Sequence, residues 1–322
     1  WVIQSHIELE RNPHYWGDAA TRIDRVLFVT TEDLNSEFKR YRAGELDWTE
    51  QIPANQADWI RAHLADEFSV HPYLGVYYYG LNLTRPPFAE NPKLRLALAL
   101  AIDREVIARK VLASGEIPAY NWVPPGVDNY TPALPDWAAL TREQRLEEAR
   151  RLYAEAGYSR ERPLSVEIRY NTHEDHRRIA VAIAAMWKQW LGADVRLLNE
   201  EWKVFLQNRR LKDKTQAFRA AWVGDYNDAN TFLDLMHSAH GLNDVGFADP
   251  RYDALLAAAG AELDPARRAA LLQQAEAMLL EALPVIPVYF YVTKRLVKPW
   301  VKGWQGNIMD HHRSQYLYLE SH

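Results

Sequence analysis

A cation and an anion stand six positions apart in the stretch RAAWVGDYNDANTF, which runs from Arg219 to Phe232. Arg219 belongs to an apolar run with the alternation of a strand. Asp225 follows Gly224, where that strand hands over to a helical run, and Trp222 lies between the two charges. Residues of these types can make charge-assisted hydrogen bonds to a ligand, each contributing about 1.5–3 kcal/mol net. They can equally do structural work. Asp225 would then be a helix N-cap or a solvated turn carboxylate, and Arg219 one half of an ion pair with a nearby Asp or Glu. In the alternation Phe218, Ala220, Trp222, the arginine lies on the opposite face from Trp222, so the strand needs two distinct environments.

Other clusters carry less. NTHEDHRR holds His173 and His176 at i, i+3 beside two carboxylates, a spacing that a metal would accept. A helix start at Asn171 or Thr172, with acidic residues in its first turn, explains the same letters. His237 and His240 in HSAH, and His311 and His312 in HHR, have no matching partners and read as surface. There is no cysteine, hence no disulfide framework, thiolate nucleophile or thiolate-bound metal. G-x-S-x-G, Walker, G-x-G-x-x-G and H-E-x-x-H patterns are all missing, so the enzyme reading fails on inventory. A carboxylate-pair hydrolase is the one enzyme class that 43 acidic residues leave open.

A formal charge of −5 argues against nucleic acid as the main partner. The longest apolar run, Leu94–Ile102, is broken by Arg95 and ended by Asp103, far short of a membrane span. Twelve Trp and seventeen Tyr are many, and such rings suit a surface that is apolar and hydrogen-bonding at once. The 322 residues suffice for two domains.

The elements that must position these groups follow from periodicity. Val2, Ile3, Ile7 and Leu9 begin a strand, and Ile23–Thr30 reads as another. Glu32–Arg42 is helical and stops at Gly44. The tract HPYLGVYYYGLNLTRPPF reads as a strand crossing between domains. A long helix is expected from Pro92, with Asn91 as N-cap, to Leu112. The proline-rich stretch 116–139 reads as a loop hugging the surface. Thr141 and Gln144 form a capping-box pattern for a helix ending at Gly157. Alternation over Leu164–Tyr170, an amphipathic helix Arg177–Leu191 bearing Ile179, Ile183, Met186 and Trp190, and the strand ADVRLLN make a βαβ unit with parallel strands. A helix over Glu201–Leu211 leads to the strand AFRAAWV. Helices follow over 249–260 and 264–282, then a returning strand LPVIPVYFYV and a strand-like tail SQYLYLE. The layout is an α/β domain over 75–292, inserted between two parts of another domain, 1–74 and 293–322. The opening on a strand pattern, with neither Met nor signal peptide, suggests a processed or truncated piece of something longer.

The blocks ERNPHYWGDAATRIDRV, YRAGELDWTEQIP, LRLALALAIDRE, PAYNWVPPG, EEARRLYAEAGY, RAAWVGDYNDANTFL and IPVYFYVTKRLVKPWVKG occur in the order seen in oligopeptide-binding proteins. The whole chain resembles that family, the periplasmic substrate receptors of bacterial ABC peptide importers, and looks like its C-terminal three-fifths. The resemblance implies an α/β, two-lobed periplasmic binding protein-like fold with the N-terminal part of the first lobe missing. It implies capture of short peptides between the lobes, closing about the crossing strands, for delivery to a membrane permease. It also implies a periplasmic location, no cofactor and no catalysis. By resemblance, Asp225 holds the peptide's α-amino group. Arg219, Arg209 and His176 are the cations that meet its carboxylate, with Lys110 a weaker candidate for longer ligands. Trp202, Trp222, Tyr73, Tyr78 and Tyr291 surround the cleft. The alternatives are a sugar or other small-solute binder of the same superfamily, or a truncated fragment that binds nothing.

Overall fold

The computed structural model describes residues 1–31 and 33–321. The chain forms two compact units, Trp1–Tyr73 with Val292–His322, and Leu74–Tyr291.

In the first unit, β1 (His6–Glu10) pairs antiparallel with β2 (Arg25–Val29), His6 opposite Val29. Val2 and Ile3 fall outside the strand, because the chain turns over residues 3–5 and Val2 makes only an isolated bridge to His6. Helix α1 (Leu34–Arg42) is capped by Asp33, whose carboxylate accepts the Ser36 N–H at 2.7 Å. It exits through Gly44 at φ +76°, the left-handed conformation that favours glycine there. Glu32, the expected helix start, lies outside the described residues. Helix α2 (Ala57–His63) has no counterpart in the sequence reading, since seven residues hold barely two turns of periodicity. Phe38, Tyr41, Ile52, Ala57, Ile60 and Leu296 form the small core of this unit.

Strand β3 (Phe68–Leu81) carries the chain into the second unit. Helix α3 (Pro92–Ala101) starts at Asn91 but does not run on to Leu112. Ile102 is extended, and the chain restarts as α4 (Arg104–Val106) and a π-helical turn over Ile107–Leu112. The break has a physical cause. The fully buried Arg104 donates from Nη1 to the Ala99 carbonyl at 3.0 Å. Arg142 donates to the Leu100 and Ala101 carbonyls at 3.0 and 2.9 Å. The two guanidinium groups therefore satisfy carbonyls that a continuous helix would have bonded internally.

Beyond β4 (Ile117–Pro118), the first part of the stretch expected on the surface turns inward, with Ala119, Trp122 and Val123 fully buried, while most of the residues after Pro124 stay at least partly exposed. Its organiser is Glu276, a buried carboxylate that accepts the N–H groups of Trp122, Val123 and Ala133 at 2.8–2.9 Å and the Tyr130 hydroxyl at 2.7 Å. A segment with little secondary structure can be buried only if its backbone donors find such a partner. Burial pushes the Glu276 carboxyl above its ordinary range, against the pull of those bonds.

Helix α5 (Arg142–Glu155) carries the expected capping box. Strand β5 (Ser165–Asn171), helix α6 (Glu174–Leu191) and β6 (Asp194–Glu200) form the expected parallel βαβ unit, with Asn171 opposite Glu200. The buried stripe of α6 runs through Ile179, Ile183, Trp187 and Leu191, so Trp187 replaces Trp190 at its centre. Trp187 is held by an Nε1 bond to the Leu98 carbonyl at 3.0 Å. Then come α7 (Trp202–Leu211), β7 (Ala217–Val223), α8 (Asn230–Leu233), α9 (Pro250–Ala261) and α10 (Pro265–Ala282). Strand β8 (Val285–Leu296) returns the chain to the first unit, where β9 (Val301–Lys302) pairs with β10 (Tyr318–Leu319). The tail is strand only at that pair, because Ser314–Tyr316 is a 3₁₀ turn. A mixed six-stranded sheet, ordered β4-β8-β3-β7-β5-β6, backs the core of the second unit.

Candidate functional site

Strands β5, β6 and β7 run parallel, so their C-terminal ends lie at one edge of the sheet. Those ends carry Asn171, Glu200 and the Gly224–Asp225 turn. The crevice outside such ends is where open α/β sheets place their ligands.

Arg219 points to one face of β7 and Phe218, Ala220 and Trp222 to the other. Register decides its neighbours: Tyr79 pairs with Arg219 and Tyr77 with Ala221, so both tyrosines share the arginine's face. The guanidinium lies 5.0 Å from the centroid of Tyr77, a cation–π contact, and Nη1 donates to Asn171 Oδ1 at 3.2 Å. Tyr77 stacks on Tyr289 at 4.7 Å, and Tyr291 meets Tyr289 edge-on at 5.1 Å. Burial pushes the Tyr77 and Tyr289 hydroxyls well above their ordinary range, so this wall is neutral. Arg219 is 9% exposed, its Nε has no hydrogen-bond partner, and no carboxylate forms an ion pair with it among the described residues. A buried charge without a counterion is costly.

His176, in the first turn of α6, puts Nδ1 3.4 Å from the Tyr77 hydroxyl. Burial, then the charge of Arg219, then His173 hold its pKa down to about 3. It therefore stands beside Arg219 as a neutral hydrogen-bonding ring, which corrects the expectation of a second cation. The N-cap of α6 is His173, not Asn171 or Thr172; its Nδ1 accepts the Asp175 N–H at 3.2 Å.

Arg209 also departs from expectation. Its Nε donates to Asp244 Oδ2 at 2.5 Å, with side-chain exposures of 15% and 6%. Its guanidinium lies over the Phe205 and Phe218 rings, at 5.8 and 5.6 Å. Phe218 faces away from Arg219, so β7 separates the two arginines and the Arg209 charge is already compensated. Tyr78 belongs to that second face. It is buried edge-on against Trp122 at 4.8 Å, and burial raises its hydroxyl to about 12. Trp202 is exposed at the start of α7, its ring 6.1 Å from Phe205. Tyr73 is half-buried in the part of β3 that belongs to the first unit, and Lys110 is exposed on the π-helical turn.

Asp225 is exposed, and its carboxylate makes no hydrogen bond or ion pair among the described residues. Its backbone is held firmly. The Asp225 N–H donates to Thr231 Oγ1 at 3.3 Å, and Trp222 Nε1 approaches the same oxygen at 3.4 Å. Gly224 donates to the Leu74 carbonyl at 2.8 Å, and a Cβ there would stand 2.6 Å from Leu74 Cδ2. A larger residue there would force the Leu74 side chain to shift. At about 3.3 Å per residue, six residues of extended chain separate the Arg219 and Asp225 Cα atoms by at most about 20 Å.

The structure thus gathers Arg219, His176 and Tyr291 into one cluster and sets Asp225 beyond the end of the same strand. Sequence reading passed over Tyr77, Tyr289 and Asn171. The tyrosine run 77–79 was visible, but which of its rings faces Arg219 depends on strand pairing. A separate cavity of about 490 Å³ lies in the first unit, lined by Leu27, Phe28, Leu46 and Trp48 among others, and holds none of the predicted site residues. His312, expected on the surface, is instead packed on Trp304 at 3.7 Å with Nε2 2.8 Å from Asp310.

The chain belongs to the bacterial extracellular solute-binding proteins, family 5, whose Middle-region profile matches residues 1–244. Its mixed α/β fold is that of periplasmic binding proteins. It is similar to the periplasmic oligopeptide-binding protein OppA of Escherichia coli (strain K12), with 38% identity over 324 residues covering 100% of this chain and 59% of the relative. Among solved structures, it matches the E. coli murein tripeptide binding protein MppA with TM-score 0.87 and 37% identity, covering 100% of this chain and 63% of that one. It matches Haemophilus influenzae OppA in complex with RPPGFSPFR with TM-score 0.84 and 38% identity, covering 99% and 63%. The chain therefore spans about three-fifths of the length of the curated relatives it matches. No helix of the described residues is long and apolar enough to cross a membrane.

Proposed function

We propose that the protein carrying this chain is a peptide receptor, binding short peptides in the periplasm and delivering them to an ABC importer. Arg219 binds the terminal carboxylate, with Asn171 and neutral His176 as hydrogen-bonding neighbours. Asp225 binds the terminal ammonium group. The buried Arg219 without a carboxylate partner carries this reading. A free carboxylate supplies the missing counter-charge, and a neutral solute such as a sugar leaves it missing. The names of OppA and MppA support the ligand class.

Affinity for unrelated sequences then comes from what all peptides share, their backbone and charged ends. Side-chain pockets filled by water add little selectivity. The test is calorimetry on the full-length protein with trialanine, its N-acetyl form and its C-terminal amide. Each capped form is expected to bind about 10- to 100-fold more weakly, as for a lost charge-assisted bond. Equal binding of free and capped peptides would refute the reading.

A further inference from the structure

The proposed ammonium anchor is exposed, and an exposed carboxylate gains specificity only if its backbone is fixed. The turn bearing it has its own fastening. Three residues beyond Asp225, Asp228 takes two bonds from one guanidinium: Arg268 Nη1 to Oδ2 at 2.7 Å and Nη2 to Oδ1 at 2.9 Å. Asp228 Oδ1 also accepts the Asn230 N–H at 2.8 Å, so one carboxylate joins the turn, the start of α8 and the first turn of α10. Asn227 Oδ1 accepts the Asp128 N–H at 3.2 Å, linking the turn to the proline-rich loop. That loop is held in turn by Glu276, two helical turns further along α10. Direct and indirect ties thus run from a single helix to the segment that carries Asp225.

We propose that Arg268 is a positioning residue for recognition of the ligand's ammonium group, acting through a bidentate clamp on Asp228 that holds Asp225 in place. The proposal rests on the reading of Asp225 given above. The clamp sits among the neighbours of Asp225 and makes no bond to Arg219, so it biases one end of the ligand alone. A planar two-point fork resists rotation of the turn in a way that a single ammonium bond does not.

The experiment measures two ratios by calorimetry on full-length protein: trialanine against its N-acetyl form, and trialanine against its C-terminal amide. In the unmodified protein both ratios are expected to be about tenfold or more. Arg268→Gln and Asp228→Asn are each expected to reduce the first ratio to about threefold or less and to leave the second unchanged. Arg268→Lys recovers only part of the first ratio, and the exchanged pair Asp228→Arg with Arg268→Asp recovers more than either exchanged residue alone. Retention of the full ammonium ratio in both single variants overturns the clamp while leaving the Asp225 reading intact. Equal loss of both ratios also overturns it, in favour of a general folding role. An unmodified protein indifferent to acetylation removes the Asp225 reading and the clamp together.

Discussion

Arg209 and Arg219 lie on opposite faces of one strand, and their surroundings differ in kind. Arg209 meets Asp244 inside the protein and is finished. Arg219 meets a phenol ring and an amide, with His176 reached through Tyr77, and no carboxylate among the described residues. The acids show the same contrast. Asp228 is held by a guanidinium fork, whereas Asp225, one turn of chain away, has its carboxylate unengaged among the described residues. A charge whose partner lies within the fold serves the fold. In the proposed reading, a charge kept desolvated or displayed without a partner serves something that arrives from outside.

Three substitutions test that contrast. The largest effect is expected from Arg209→Ala, which leaves Asp244 buried without its cation. A loss of about 3–5 kcal/mol of stability is expected by denaturant unfolding, with the amine and carboxylate ratios of any remaining folded protein unchanged. Next comes Arg219→Met, which removes a cation that no carboxylate neutralises. It is expected to leave stability unchanged or raise it, while weakening free trialanine by about 1.5–3 kcal/mol and abolishing the penalty for C-terminal amidation. A large fall in stability in this variant would place Arg219 in the same class as Arg209 and dissolve the comparison.

The smallest effect concerns His176. Its folded pKa of about 3 lies below the ordinary value of 6.5. The unfolded chain therefore takes up a proton first as pH falls, and stability present above pH 6.5 is lost between 6.5 and 3. Allowing for partial screening, unmodified protein should lose about 1 kcal/mol more than His176→Gln between pH 7 and pH 5. Parallel stability curves for the two proteins would show that the imidazole does not stand desolvated beside Arg219.

Most of the secondary structure was legible because local chemistry and periodicity agreed. The Thr141–Gln144 box, the βαβ alternation around 165–200 and the Asp264–Pro265 start each carry their own signal. Failures came where long-range bonds overrode local preference. Nothing within 92–112 announces that Arg104 and Arg142 will take over the carbonyls near Ala101. Nor does the proline-rich stretch reveal that Glu276, more than a hundred residues away, will draw its first part into the interior.

The site divides in the same way. By itself the sequence determined that an arginine and an aspartate flank a strand end, and that Arg219 and Trp222 point to opposite faces, because backbone alternation is a local property. It also determined the family, through blocks spread along its length. Which charges were already spent was decided only by tertiary structure. Ion pairing depends on side chains meeting across elements, such as Arg209 with Asp244 and Arg268 with Asp228, and strand register alone set the tyrosines beside Arg219. The energy of a charge depends on what surrounds it in space, and no spacing along a chain encodes that.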